Sequence, residues 1–317
     1  MREDKWQPDI LAGFEMKYVK QPDDGNGHVR CTVVRRICMG SRRAAVYIHG
    51  FSDYFFQADM GMEFVEHGFS FYAVDLRRYG RSIMPGQRRF VVRDMSEYFP
   101  DIQAGIDAAK ADGATEIVLV GHSTGGLSTT LYMETTPDPA VKTLILNSPF
   151  LAWNVRSRLK RMFIPVIGTI GRAFPNIAVH SGGTIDYHRS LAKNMNGEWE
   201  FDTRWKQDIM PDVDAGWIGA IDRGQRCAAK GTVKVPVLLM HSGKSAWHGD
   251  SDEAFSTSDG VLDVEKISRA GRLIGPYVTD VTIPDGLHDL VLSRPDVRRK
   301  VYETIFSWLR QMMPASK

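Results

Sequence analysis

The stretch Ile117-Val118-Leu119-Val120-Gly121-His122-Ser123-Thr124-Gly125-Gly126 decides how this chain folds. Its first four residues are an unbroken apolar run, the pattern of a strand buried on both faces rather than one face. A helical pattern rich in small residues follows at 125–134. Between strand and helix stands G-x-S-x-G, the sequence of a nucleophile elbow in the context that motif requires. The turn is so tight that side chains at the glycines would collide with neighbouring backbone, and the serine is held in a strained conformation. That strain lifts its hydroxyl clear of the sheet. The amino end of the next helix, with free N–H groups and a positive dipole, points at the same place.

Outward from the elbow, the same alternation covers most of the chain. Strands are expected at 28–37, 44–49, 70–74, 116–120, 142–146, 235–241 and 277–283, with helices near 60–67, 95–112, 125–134, 262–270 and 298–313. Repeated strand–helix–strand units imply an α/β doubly wound, mostly parallel sheet flanked by helices, with ligands at the carboxyl ends of its strands. One stretch breaks the rule: 151–216 is rich in Arg, Lys, Trp, Phe and Met and has no convincing strand. It reads as a helical cap inserted between two parts of one core, 1–150 and 217–317. The segment 159–174 mixes apolar bulk with cations. Such a face either packs on the core, walls an acyl site or touches lipid.

Composition narrows the function classes. With 40 basic against 38 acidic residues the net charge is +2, too small to argue for nucleic acid. No apolar run is long enough to span a membrane, and the acidic start Met1-Arg2-Glu3-Asp4 argues against a signal peptide, so cytoplasm is the expectation. Cys31, Cys38 and Cys227 read as reduced thiols rather than a disulfide framework or metal site. No phosphate loop or dinucleotide fingerprint occurs, so no cofactor is expected. His248, Asp250, Asp252 and Glu253 are too loosely spaced to be read as metal ligands.

The remaining parts of a serine-hydrolase site can be sought at fixed places in such a fold. His49-Gly50-Phe51 follows the strand at 44–49, where the fold supplies one oxyanion-hole N–H; the residue after the nucleophile supplies the other. The donors are therefore the amides of Phe51 and Thr124, each worth roughly 3 kcal/mol at the transition state. Tyr54, Phe55 and Phe56 line an acyl site or pack in the core. The base belongs after the last long strand, which selects His288. His49 belongs to the oxyanion loop, and His122 is expected to point away from Ser123. An acid is expected just after the strand at 235–241, yet Ser242-Gly243-Lys244-Ser245 has none. If 246–257 is extra loop, Asp259 takes that place, ahead of Asp250, Asp252 and Asp263.

His49-Gly50, Asp75-Leu76-Arg77-Arg78-Tyr79-Gly80-Arg81-Ser82, the elbow, the cap, Asp259-Gly260-Val261-Leu262-Asp263 and Gly286-Leu287-His288 together resemble the serine aminopeptidase-like α/β-hydrolases, with monoacylglycerol lipases and lysophospholipases among them. The resemblance implies the α/β-hydrolase fold, a triad of Ser123, Asp259 and His288, and oxyanion donors at Phe51 and Thr124. It implies a structural role for the loop beginning at Asp75. The expected substrate is a small-molecule acyl ester. Two other readings remain: an exopeptidase, with Glu198, Glu200 or Asp202 holding an α-amino group, and a non-catalytic binding protein on the same scaffold.

Overall fold

In the computed structural model, which describes residues 5–314, the chain begins with β1 (Gln7–Pro8), β2 (Glu15–Asp24), β3 (Gly27–Arg36) and β4 (Arg43–Ile48). It continues through α1 (Ala58–Glu66), β5 (Ser70–Asp75), α2 (Phe99–Ala111), β6 (Glu116–His122), α3 (Thr124–Thr135) and β7 (Val141–Asn147). A long connection then carries α4 (Arg158–Ala173), β8 (Ala178–Val179), α5 (Asp186–Leu191) and β9 (Val213–Asp214). Last come α6 (Ala215–Ala228), β10 (Val237–Ser242), α7 (Asp252–Phe255), α8 (Val264–Gly271), β11 (Val278–Ile283) and α9 (Pro295–Met312). Residues 1–4, which entered the reading of the N-terminus, lie outside the described residues.

Nine strands form one sheet in the order β1-β2-β3-β5-β4-β6-β7-β10-β11. β1, β2, β3 and β5 pair antiparallel at one end, and every pairing from β5 through β4, β6, β7 and β10 to β11 is parallel. β5 and β10 are buried along their whole length, as strands covered on both faces must be. One apolar layer is built on Ile102 and Ile106 of α2, Leu127 and Leu131 of α3 and Ile267 of α8. The opposite layer uses Met60 and Phe64 of α1 with Val297, Val301, Ile305 and Leu309 of α9. The spacing in α9 is one residue per turn on one face, and Pro295 opens the helix where a missing N–H costs nothing. This is the α/β-hydrolase architecture the sequence implied.

Three departures have physical causes. β2 was not expected, because it alternates: Met16, Tyr18 and Gln21 turn inward while charged neighbours face out, so no continuous apolar run marks it. α6 was not expected either. Its glycines at 216, 219 and 224 weaken local helix preference, and burial of Trp217, Ile218 and Ile221 overrides them. Within 151–216 the short strands β8 and β9 pair antiparallel where no strand was foreseen. Among the described residues no helix is long and apolar enough to cross a membrane.

Candidate active site

β4, β6 and β10 run parallel, so their carboxyl ends deliver three loops to one edge of the sheet. At the end of β6, Ser123 takes φ 52° and ψ −118°, a left-handed conformation rare for a side chain. The flanking glycines are needed for close approach: a Cβ on Gly121 would meet Thr129 and the Gly126 backbone, and one on Gly125 would meet the carbonyls of Ile48 and His49. Ser123 N donates to Asn147 O at 3.1 Å and Ser123 O accepts from Phe150 N at 2.9 Å, so neighbouring backbone holds the turn. Thr124 is the first residue of α3, where an N–H has no intrahelical acceptor.

The loop that carries Phe51, the expected oxyanion donor, is braced from behind. His49 donates from Nδ1 to Gly50 O at 2.8 Å and accepts at Nε2 from Leu76 N at 3.0 Å. Asp75 accepts from Phe55 N at 2.9 Å, and from Arg81 through N and Nη1, each at 2.9 Å. The loop beginning at Asp75 therefore ties the chain after β4 to the chain after β5, the structural role expected of it.

His288 donates from Nδ1 to Asp259 Oδ2 at 2.9 Å, and Asp259 is fully buried. The other oxygen of Asp259 accepts from Val261 N at 2.8 Å and Leu262 N at 2.7 Å. The loop argument for this residue fits the backbone: Asp259 N donates to Lys244 O at 2.9 Å, Ala246 N donates to Asp259 O at 2.8 Å, and Ser245 and Asp259 form a parallel bridge. Residues 246–257 thus leave the sheet edge and return to it. Of the other carboxylates considered, Asp250 accepts from Trp247 N, Asp252 pairs with Arg189, and Asp263 caps α8.

Ser123 and His288 line one cavity of about 370 Å³, shared with Phe51, Asp53, His122 and Lys206. Phe51, Ser123 and Thr124 also line a second cavity of about 860 Å³, walled by Phe150, Trp153, Ile164 and Trp217. The first is the more polar of the two, with Ser181, Thr184, Gln207 and Asp208 in its wall; the second is mainly aliphatic and aromatic. His122 also lines the first cavity, and its ring lies 4.8 Å from that of His288. Burial pulls its imidazole below the ordinary value, opposed by the nearby charge of Asp289.

Tyr54, Phe55 and Phe56 line neither cavity. Phe55 belongs to the core, Tyr54 meets Trp205 edge to face, and Phe56 packs at a tilt on Phe201. Glu198, Glu200 and Asp202 also line neither; they face Arg298, Lys193 and Arg204. In the 248–253 loop His248 bonds Asp186 at 2.8 Å rather than its acidic neighbours. A tighter group is Asp53, His122 and Asp289, each offering one ligand atom within 4.8 Å of the others. Asp289 accepts there from Gln57 and Asn147, and Lys206 Nζ stands 3.0 Å from Asp53, so an ammonium of the chain meets the local negative charge. Sequence reasoning missed Asp53 and Lys206. No local spacing links them.

Comparison with known proteins places the chain in a family. The chain is 24% identical over 172 residues to the phospholipase YtpA of Bacillus subtilis (strain 168), covering 50% of this chain and 62% of that one. It is 28% identical over 191 residues to the bifunctional esterase/perhydrolase DCH of Acinetobacter calcoaceticus, covering 56% and 65%. Under two thirds of either relative is therefore spanned. A soluble variant of the Saccharomyces cerevisiae monoglyceride lipase, solved with a substrate analog, superposes with a TM-score of 0.68 at 17% identity, over 95% of this chain and 96% of that one. Residues 40–255, most of the chain, match the family described as serine aminopeptidase, S33, and the chain belongs to that family.

Proposed function

We propose that this protein is a serine carboxylic-ester hydrolase acting on esters of medium or long acyl groups, of the monoacylglycerol or lysophospholipid type. The observation that carries the reading is the strained Ser123 at a helix amino end, opening into the same cavity as a His288 held by buried Asp259. In this scheme His288 Nε2 takes the proton of Ser123 as Oγ attacks the ester carbonyl, and the amides of Phe51 and Thr124 receive the oxyanion. His288 then gives the proton to the leaving alkoxide. A water activated by the same histidine releases the acid and frees the serine. Asp259 keeps the proton of neutral His288 on Nδ1 and stabilises the imidazolium.

The two cavities meet at Ser123, which suits a substrate with unlike halves. The larger, apolar one accommodates the acyl chain and the smaller, more polar one the alcohol. Residues 151–216 act as a cap that supplies walls to both, between core parts 1–150 and 217–317. On its outer side α4 leaves Leu159, Met162, Phe163, Val166 and Ile170 between 46% and 73% exposed. The cations Arg156, Arg158, Lys160, Arg161 and Arg172 accompany them, with no acidic residue from 154 to 185. That composition fits transient contact with a lipid surface, beside the wall where Phe163 lines the larger cavity. The names of two of the relatives, an esterase/perhydrolase and a monoglyceride lipase, support an ester substrate.

The test is hydrolysis of p-nitrophenyl esters from acetate to palmitate by wild type and Ser123→Ala, with fluorophosphonate labelling of both. The expected result is an active, labelled wild type, a dead and unlabelled Ser123→Ala, and an optimum beyond acetate. An inactive, unlabelled wild type would sink the reading.

A further inference from the structure

We propose that Lys206, carried by the cap, is a positioning residue for the oxyanion loop, acting through Asp53. The inference rests on the hydrolase reading above and assigns to it a residue outside the triad. Asp53 stands two residues beyond Phe51, and its carboxylate is buried, with 1% of its surface exposed. Neither of its oxygens has a hydrogen-bond partner among the described residues. The ammonium that meets this charge is Lys206 Nζ, 3.0 Å from Oδ1. Lys206 is itself buried, with the rings of Phe56, Tyr187 and Phe201 within 6.0 Å of its nitrogen.

The loop needs such an anchor. Ser52, between Phe51 and Asp53, has φ +50°, a left-handed conformation that a non-glycine residue keeps only when its surroundings enforce it. The same cap segment supplies a second tie, since Gln207 N donates to Ser52 Oγ at 3.4 Å. A third lies two residues further on, where Tyr54 Oη accepts from Asp202 N at 2.8 Å. Lys206 contributes in two ways. It fixes the direction of the Phe51 amide, and it offsets a carboxylate that would otherwise oppose a negative oxygen growing at Ser123. Both effects act where charge develops, so they belong to kcat rather than to substrate affinity.

The experiment measures kcat and KM on one soluble p-nitrophenyl ester for wild type, Lys206→Met, Lys206→Arg and the double variant Asp53→Asn/Lys206→Met. Each rate is divided by the concentration of serine titrated with a fluorophosphonate, so unfolded protein does not count. The expected outcome is a fall in kcat of at least ten-fold for Lys206→Met with KM within two-fold, and retention of most activity by Lys206→Arg. The double variant, which removes the buried charge with its partner, should recover part of the loss. A kcat for Lys206→Met within two-fold of wild type, or a change confined to KM, overturns the proposal while the hydrolase reading stands. A wild type that neither hydrolyses the ester nor titrates overturns both.

Discussion

At the level of single residues, the hydrogen bonds of Asp259 make its substitution by asparagine informative. Its Oδ1 accepts two backbone N–H groups, from Val261 and Leu262, and Oδ2 receives the proton on His288 Nδ1. An asparagine must turn its oxygen toward the two amides and its NH₂ toward His288. The imidazole then accepts at Nδ1, carries its proton on Nε2, and cannot take one from Ser123. Asp259→Asn should therefore lower kcat by about 10⁴-fold, as such a tautomer switch does in serine proteases, while protein and fold persist. Steady-state rates with the far-ultraviolet circular dichroism spectrum check this; a variant within ten-fold of wild type would remove Asp259 from the role of acid. The residues of the elbow and His288 were legible in the sequence because short spacing places them next to strand ends. Asp259 was legible only by counting the residues that leave and rejoin the sheet edge. Asp53 and Lys206 were not legible, since only tertiary packing brings a cap lysine to the loop after β4.

Among the elements, the loop carrying α7 and the helix α4 lend themselves to separate tests. The backbone bonds of Asp259 run to Lys244 and Ala246, before the segment 248–256, and its side chain bonds Val261, Leu262 and His288 beyond it. Replacing 248–256 by a two-residue glycine–serine link should leave kcat for p-nitrophenyl acetate within about ten-fold of wild type. The smaller cavity, which loses His248 from its wall, should open and raise KM for bulkier alcohols. A KM series over alcohols of increasing size, with the titrated serine fraction, measures both; loss of titratable serine would show the loop to be structural. For α4 and Phe174 just beyond it, Leu159→Gln/Met162→Gln/Phe174→Gln removes exposed apolar bulk away from the cavity walls. Burying such side chains in lipid stabilises by about 1.5–3 kcal/mol each, so cosedimentation with anionic vesicles should drop at least ten-fold while soluble-ester hydrolysis is unchanged. Equal binding by wild type and variant would exclude this face as the lipid contact. The strands of the parallel region were legible from their apolar runs, whereas β2 and α6 needed the packed core to define them.

For the molecule as a whole, stability should depend on pH through Glu134, at the end of α3. Burial pushes its carboxyl up to about 7 from the ordinary 4.5, against the opposing Thr232 N–H and Lys230 charge. The folded state therefore holds this proton more tightly than the unfolded chain. Stability is greatest where both states are protonated, below about 4.5, and this contribution falls as pH rises toward 7. Glu134→Gln should flatten the dependence of Tm between pH 5 and 7.5 and raise Tm at the upper end. Thermal unfolding across that range decides it; identical slopes for both proteins would show that Glu134 carries no linkage.

The returning loop has one more consequence. A cut between residues 248 and 256 leaves Ser123 on one fragment and Asp259 with His288 on the other, while β10 remains paired to β7. Neither piece holds all three residues of the proposed triad. Under the proposed mechanism, the two pieces expressed separately and fused to interacting partners should act as a split reporter, in which colour from a chromogenic ester registers the partners' encounter.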